Sequence, residues 1–196
     1  GNGKNGEDIT KNLMTVGSVL PELRDKKNSP ELLAVRGEIL MRKKGFQELN
    51  RERIENGQDP FANPRNAAAG LMRQLDPGQV AGKPMDVYFY EIMKCEGEDR
   101  SSHMEELEKF RNWGLKTNEE NQKCASFSCI KKYHAKMEKK REKLDYDIDG
   151  VVIKLDDLEQ RKKLGTRNRN PRWALAWKFA PREEVTTLED IAVQVG

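Results

Sequence analysis

Apolar and polar residues alternate in two short segments near the end of the chain, and this alternation predicts two β-strands. In the segment Asp149 to Lys154, a period of two places Gly150 and Val152 on the face of Lys154. In the segment Arg172 to Phe179, one face carries Ala174, Ala176 and Lys178. Each lysine therefore shares a face with small residues, so a flat ligand could lie there with two ammonium groups near its phosphate. The alternative is two ordinary strands whose lysines point to water.

A third alternating segment predicts a strand from Leu32 to Met41, with Arg36 and Glu38 on one face. A carboxylate on such a strand either pairs with an arginine, for which Arg36 is the nearest candidate, or accepts hydrogen bonds from ligand hydroxyls. The apolar and aromatic run from Met85 to Met93 predicts a further strand, buried on both faces.

The run from Phe61 to Pro77 predicts a helix with clear signals at both ends. Asn63 is a good N-cap and Pro64 suits the first helical position, whereas Asp76-Pro77-Gly78 is expected to stop the helix. Gly70 in the interior costs about 1 kcal/mol relative to alanine, so we expect it to permit a close approach.

Arg65 and Arg73 lie eight residues apart in this predicted helix. They are separated by about 80° around the axis and roughly 12 Å along it, a reach that suits a nucleic-acid phosphate strand. The alternative is a helix of small residues packed on a sheet, with two surface arginines. Three more helices are predicted, at 44–56, at 102–114 with a Ser102/Glu105 capping box, and through the lysine-rich stretch 130–144.

Composition adds limits to this picture. The chain has 196 residues, enough for one domain with a core, and a net charge of only +3, which does not by itself indicate nucleic-acid binding. No apolar run approaches a membrane span and no signal-peptide pattern opens the chain, so we expect a soluble, intracellular protein without a membrane partner.

The three cysteines make an odd count without framework spacing, which predicts free thiols in a reducing compartment. A zinc cluster of Cys124, Cys129 and His134 is the alternative, but it lacks a paired Cys-x-x-Cys motif and a fourth ligand.

The segments described above, in this order, resemble the nucleotidyltransferase (adenylation) domain of the bacterial NAD-dependent DNA ligases. Arg36-Gly37-Glu38 is similar to the third nucleotidyltransferase motif of that family, Asp149 through Lys154 to the fourth, and Trp173 through Lys178 to the fifth. The run from Phe61 to Pro77 is the most specific match, because it resembles a signature of the NAD-dependent branch. Residues in the first ten resemble a glycine-rich turn of the family: Gly3, Gly6-Glu7-Asp8 and Thr10.

The resemblance implies an α+β fold with mixed, largely antiparallel sheets and flanking helices. This is the ATP-grasp-like fold of DNA ligases and mRNA capping nucleotidyltransferases, here truncated on its N-terminal side. Residues 1–182 would be the nucleotidyltransferase domain and 183–196 the lead into an OB-fold domain, which Val193-Gln194-Val195-Gly196 resembles.

The activity implied by the resemblance is the sealing of nicks in double-stranded DNA. A lysine takes AMP from NAD, the AMP passes to the 5′-phosphate at the nick, and the 3′-hydroxyl displaces it. NAD would be the AMP donor and Mg²⁺ or Mn²⁺ the metal, with Zn²⁺ only in other parts of the parent protein. Nicked DNA and NAD would be the partners, and the parent would be a monomer in the bacterial cytoplasm.

The resemblance also implies residue roles. Glu38 would hold the adenosine ribose, Lys154 and Lys178 would neutralise the adenylate phosphate, and Asp149 would support the catalytic centre. Three arginines match positions at the active site or on DNA near the nick: Arg65, Arg73 and Arg141. No residue of this chain is assigned as a metal ligand.

One departure from the family pattern is central. The nucleophile is the lysine of a Lys-x-Asp-Gly motif, and this motif is absent here, since Lys143-Leu144-Asp145-Tyr146 and Lys154-Leu155-Asp156-Asp157 both lack the glycine. We therefore expect a catalytic-core fragment that is inactive alone. The alternatives are a non-catalytic module that binds adenosine and DNA, and an ATP-dependent RNA ligase or capping-type nucleotidyltransferase, which the run from Phe61 to Pro77 disfavours.

Overall fold

The computed structural model describes residues 6–24, 29–168, 170–181, 187 and 190. Gly3 of the predicted turn and the lead into an OB fold at Val193–Gly196 lie outside these residues. The described chain contains the following helices and strands: α1 Thr10–Leu13, β1 Leu32–Met41, α2 Lys43–Glu55, α3 Pro64–Met72, β2 Met85–Glu96, α4 His103–Asn112, α5 Phe127–Lys140, β3 Gly150–Lys154, α6 Leu158–Leu164, β4 Thr166–Arg167, β5 Asn170–Pro171 and β6 Ala174–Lys178.

The described strands form three two-stranded sheets, each antiparallel: β1 with β2, β3 with β6, and β4 with β5. The predicted α+β class and the antiparallel pairing are confirmed. The expected mixed sheet is not seen within the described ranges. Both strands of the β1–β2 pair are long, and their register shifts between Arg36 and Gly37, which places Glu91 opposite Arg36.

The register of the β3–β6 pair confirms the predicted shared face of the two lysines. Gly150 lies opposite Lys178, Val152 opposite Ala176, and Lys154 opposite Ala174. Because the strands are antiparallel, the lysines occupy opposite ends of that face, about 13 Å apart at 3.3 Å per residue. Both strands are shorter than predicted, since β3 begins at Gly150 and β6 at Ala174.

Three groups of buried apolar side chains hold these elements together. The first joins the N-terminal segment to β1, α2 and α3 through residues such as Val16, Met41 and Ala67. The second packs α4 on β2, centred on Phe110, which is fully buried. The third packs α5 on the β3–β6 sheet and includes Met137. Each group buries one face of a helix against a strand, which is the pattern that amphipathic spacing predicts.

Helix α3 starts as predicted, with the Asn63 side chain accepting a hydrogen bond from the Asn66 amide. It ends earlier than predicted, at Met72, and Asp76 instead caps a separate 3₁₀ turn, Pro77–Gln79. Asn12 of α1 donates hydrogen bonds from its side-chain nitrogen to the carbonyl oxygens of Met72, at 2.9 Å, and Gln74, at 2.7 Å. The Met72 carbonyl is one that the helix itself leaves without a partner at its end, and the Gln74 carbonyl lies just beyond it.

The close approach predicted at Gly70 is confirmed. A Cβ atom added there would stand 3.0 Å from the Phe61 ring, which packs over this position. The strand β2 is buried on both faces only at its start, where Met85, Asp86 and Val87 are all buried. Met93, past the register shift, is 59% exposed, so the prediction of a fully buried strand was wrong for that end.

The prediction of free thiols was wrong for two of the three cysteines. Cys124 and Cys129 form a disulfide with a Cα–Cα distance of 5.5 Å, and Cys95 is free. The chain reverses at Ser126, whose hydroxyl caps α5 by accepting from the Cys129 amide, and this turn brings the two thiols together. Among the described residues, no three His, Cys, Asp or Glu side chains form a group that could hold a metal, so the zinc alternative is not supported.

Within the described part of the chain, no helix combines the length and the apolar character that a membrane crossing would require.

Candidate functional site

The first pair of predicted site residues in contact is Asp149 and Lys178. Asp149 precedes β3 and Lys178 ends β6, so the antiparallel register brings them side by side. The Lys178 ammonium donates a hydrogen bond of 2.7 Å to a carboxylate oxygen of Asp149. This hydrogen bond lowers the pKa of the Asp149 carboxyl, and the positive charge of Arg65 acts in the same direction. Asp149 is therefore ionised at neutral pH.

Arg65 forms a second ion pair, with Glu38. It lies in the first turn of α3, and its guanidinium is 3.9 Å from a carboxylate oxygen of Glu38 on β1. Of the two alternatives left open for Glu38, a pair with Arg36 is not what the structure shows. Arg36 forms its ion pair with Glu91 at 2.8 Å, because the register shift in β1–β2 places Glu91 opposite it. The carboxylate of Glu38 is 61% exposed and thus remains accessible to a ligand.

Lys154 is held at the other end of the β3–β6 sheet. Its ammonium lies 4.7 Å from the centre of the Tyr90 ring and 3.4 Å from the Tyr90 carbonyl oxygen. Burial lowers the pKa of Lys154 to about 8, against the opposing effect of nearby carboxylates, of which Glu91 is the strongest. Burial raises the pKa of the Tyr90 hydroxyl, and the charges of Arg36, Glu38 and Glu91 also act on it.

The two remaining arginines lie at the margins of this group. Arg73 is the C-cap residue of α3 and forms an exposed ion pair of 3.0 Å with Glu7. Arg141 is the C-cap residue of α5 and donates a hydrogen bond of 3.1 Å to the Ala180 carbonyl, just past Lys178. Its guanidinium also lies 6.0 Å from the Phe179 ring centre.

The structure thus brings four predicted residues into two ion pairs, Lys178–Asp149 and Arg65–Glu38, and the charge of Arg65 also acts on Asp149. We call these two pairs the ionic track. Lys154 contacts Tyr90, whereas Arg73 and Arg141 are the C-cap residues of α3 and α5. The two lysines do not share a partner among the described side chains, since Lys178 contacts Asp149 and Lys154 contacts Tyr90.

Sequence reasoning missed Tyr90, Glu91 and the buried Arg161. Tyr90 supplies the ring and the carbonyl oxygen that contact the Lys154 ammonium. Glu91 is the carboxylate with the largest electrostatic effect on Lys154. The available signal was the single glutamate that interrupts an apolar run at position 91. Arg161 gave no signal, because it stands in a run of exposed charged residues.

Two grooves of the described surface lie away from the ionic track. One, of about 340 Å³, is lined by residues such as Arg24, Arg111 and Lys116, and the other lies between α2 and Pro84. None of the predicted site residues lines either groove. The candidate site is therefore an open, charged surface of strand and helix ends.

Comparison with known proteins identifies the family. The NAD-dependent DNA ligase adenylation domain family matches residues 1–182. The chain is similar to a DNA ligase of Salinibacter ruber, with 46% identity over the whole chain and 29% of that protein. It is also similar to DNA ligases of Haloarcula marismortui and Myxococcus xanthus, each 45% identical over the whole chain and covering 28% and 30% of those proteins. The chain therefore spans less than a third of these relatives, and it belongs to the NAD-dependent DNA ligase adenylation domain family.

Proposed function

We propose that this chain is the catalytic-core portion of an NAD-dependent DNA ligase, and that the whole protein seals 5′-phosphate/3′-hydroxyl nicks in double-stranded DNA. The observation that carries the proposal is the ionic track, in which side chains from four separate segments form the ion pairs Lys178–Asp149 and Arg65–Glu38, and Arg65 also acts electrostatically on Asp149. Family membership supports the same reaction. The proposal includes the nucleotidyltransferase fold of DNA ligases and mRNA capping enzymes for residues 1–182, with 183–196 leading into another domain.

The side chains of the candidate site are of the chemical types that can bind an adenylate. The exposed carboxylate of Glu38 can accept hydrogen bonds from ribose hydroxyls. Lys178 and Lys154 can stabilise negative charge on phosphate oxygens, and fixed cations of this kind act mainly where charge increases in the transition state. Asp149 holds the Lys178 ammonium in place at 2.7 Å. NAD is the proposed AMP donor.

A divalent metal would have to rely on phosphate oxygens of the substrate. Mg²⁺ commonly binds one or two carboxylates together with substrate phosphates, and Mn²⁺ has similar preferences for oxygen. The described residues offer no cage of three acidic or histidine side chains, so we assign no residue here as a metal ligand.

Arg65, Arg73 and Arg141 are the proposed contacts to the DNA backbone or to the active-site phosphate. The ion pair of Arg73 with Glu7 is exposed, so phosphate oxygens could replace that carboxylate at low cost, whereas Arg141 is largely buried and contacts the Ala180 carbonyl and the Phe179 ring. Nicked DNA and NAD are thus the proposed partners of the whole protein, which we propose to be a cytoplasmic monomer.

The test uses the full-length protein with a nicked duplex that carries a labelled 5′-phosphate. We expect sealing with NAD and none with ATP, and loss of sealing when Glu38 is replaced by alanine. Sealing with ATP in place of NAD, or none with either nucleotide, would overturn the proposal. The matched control is Glu48→Ala, which removes an exposed carboxylate on α2 and should leave sealing unchanged.

The 196-residue chain alone is expected to behave as a binding module, because it contains no Lys-x-Asp-Gly sequence. Incubation with NAD should give no covalent adenylate, and intact-protein mass spectrometry measures this directly. A stable AMP adduct on any lysine would show that the chain carries its own nucleophile and would contradict this expectation.

A further inference from the structure

Arg161 is a buried cation that the proposed reaction does not use. It lies on α6 and is only 6% exposed, although the residues that follow it, Lys162 and Lys163, are exposed. Its terminal nitrogen Nη2 has no hydrogen-bond partner among the described atoms. A buried guanidinium with an unsatisfied nitrogen is costly, so its place in the structure requires a reason.

The contacts of Arg161 are at the end of the sheet that carries Lys154. Its Nε donates a hydrogen bond of 2.5 Å to the carbonyl oxygen of Leu155, the residue after Lys154. Its guanidinium carbon lies 4.3 Å from the ring centre of Trp173, the residue before the β6 partner of Lys154. The Leu155 amide in turn donates to the Trp173 carbonyl at 3.0 Å. Arg161 therefore contacts both the residue that follows β3 and the residue that precedes β6, next to Lys154.

The position of Arg161 is itself fixed by α4. The Leu158 amide, at the start of α6, donates to the Ser101 carbonyl at 3.0 Å. The amides of His103 and Met104, in the first turn of α4, donate to the backbone and side-chain oxygens of Asp156 at 2.8 and 3.0 Å. The start of α6 is therefore joined by hydrogen bonds to the start of α4.

Charged groups from four neighbouring elements act on Lys154. Glu91 of β2 and Glu106 of α4 favour its ammonium form, whereas Arg161 of α6 and Arg36 of β1 disfavour it. Burial lowers the pKa of Arg161, while three carboxylates favour its charged form: Glu106, Glu91 and Asp156. The same two carboxylates, Glu91 and Glu106, therefore act on both Lys154 and Arg161.

We propose that Arg161 is a positioning residue for Lys154, which fixes the strand end that carries the ammonium and places a second positive charge beside it. With this arrangement, the Lys154 ammonium is held beside Tyr90 and is partly desolvated. The contacts and charges stand independently of the reaction. The consequence for nick sealing rests on the proposed function.

The test is an NMR titration of Lys154 in the 196-residue chain, followed by the ¹³Cε signals of labelled lysines and assigned with the Lys154→Arg variant. We expect Arg161→Gln to raise the pKa of Lys154 from about 8 toward the ordinary lysine value of about 10.4, because a repelling charge is removed. Arg161→Lys keeps the charge and should leave that pKa nearly unchanged. Lys162→Gln removes a charge from the exposed face of the same helix and is the matched control.

An unchanged Lys154 pKa in folded Arg161→Gln, or an equal shift in Lys162→Gln, would overturn the proposal. If Arg161→Gln does not fold, the positioning role is tested instead by hydrogen exchange of the Leu155 amide in the Arg161→Lys variant. Faster exchange than in the unmodified chain supports the positioning role, and unaltered exchange overturns it. Neither measurement uses NAD or DNA, so its failure is distinct from a failure of nick sealing.

Discussion

The backbone of Gly150 lies directly against the carbonyl group of Trp177. A Cβ atom added at Gly150 would stand 2.5 Å from the Trp177 oxygen and 2.8 Å from the Lys178 Cα. Both neighbours are backbone atoms and cannot rotate away as a flexible side chain could. The glycine therefore allows β3 and β6 to pair at the point where Asp149 meets Lys178.

We expect Gly150→Ala to destabilise the chain by about 1–3 kcal/mol, since overpacking against backbone forces the two strands apart. Urea unfolding followed by circular dichroism measures the free energy of unfolding. Gly17→Ala is the control, because an added Cβ there meets nothing within 4 Å. Equal unfolding midpoints for the two variants would show that the strands adapt without cost.

Lys178→Ala in the full-length protein should reduce nick sealing by roughly 100-fold or more, the usual loss when one fixed electrostatic donor is removed. The fold should survive, because the Lys178–Asp149 pair is largely exposed and such pairs contribute little to stability. Gel-based sealing rates and circular dichroism together check this. Near-normal sealing by a folded variant would remove Lys178 from the proposed site.

The same variant should raise the pKa of Asp149 toward the ordinary aspartate value, because the hydrogen bond from Lys178 is what lowers it most. In the unmodified chain, the stabilising effect of this carboxylate is present above the unfolded-state pKa of about 3.9 and is lost as pH falls through the lowered native value. A ¹³C NMR titration of the side-chain carboxyl resonance measures the shift. An Asp149 pKa that does not move would mean that another group holds the carboxylate ionised.

Arg73→Ala should weaken binding of the full-length protein to nicked DNA while leaving NAD binding largely intact. The loss of one phosphate contact should reduce the slope of log affinity against log salt by about 1. Fluorescence anisotropy at several salt concentrations gives this slope. Arg51→Ala, at an exposed arginine of α2, provides a control with the same change in charge. Identical slopes for the two variants would exclude a phosphate role specific to Arg73.

Reduction of the Cys124–Cys129 disulfide should lower the free energy of unfolding by about 2 kcal/mol, the entropy-based value for so short a loop. Thiol alkylation followed by mass spectrometry should find one free thiol before reduction, that of Cys95, and three afterwards. Cys124→Ser should make stability insensitive to reductant. Three reactive thiols in the untreated chain would contradict the bridge.

Local patterns predicted most of the elements, because spacing and caps act within a few residues. The limits of β1, the start of α3 at Asn63 and the shared face of Lys154 and Lys178 all follow from such short-range rules. The pairing of Arg36 with Glu91 could not be predicted, since it depends on a register shift between strands far apart in sequence. The burial of Arg161 depends on its contacts with the Leu155 carbonyl and the Trp173 ring at the ends of two strands, which no sequence pattern indicated.

Asn12 illustrates how the beginning of the described chain takes part in the candidate site. Its side chain completes the hydrogen bonding of the last turn of α3, immediately beside Arg73. Proteolytic removal of residues up to Asn12 would leave two carbonyl groups unsatisfied and would also remove Glu7, the ionic partner of Arg73. Trimming at this end would therefore destabilise the C-terminal end of α3 first. The earliest effect would be a displaced Arg73 side chain, while the β3–β6 sheet remained intact.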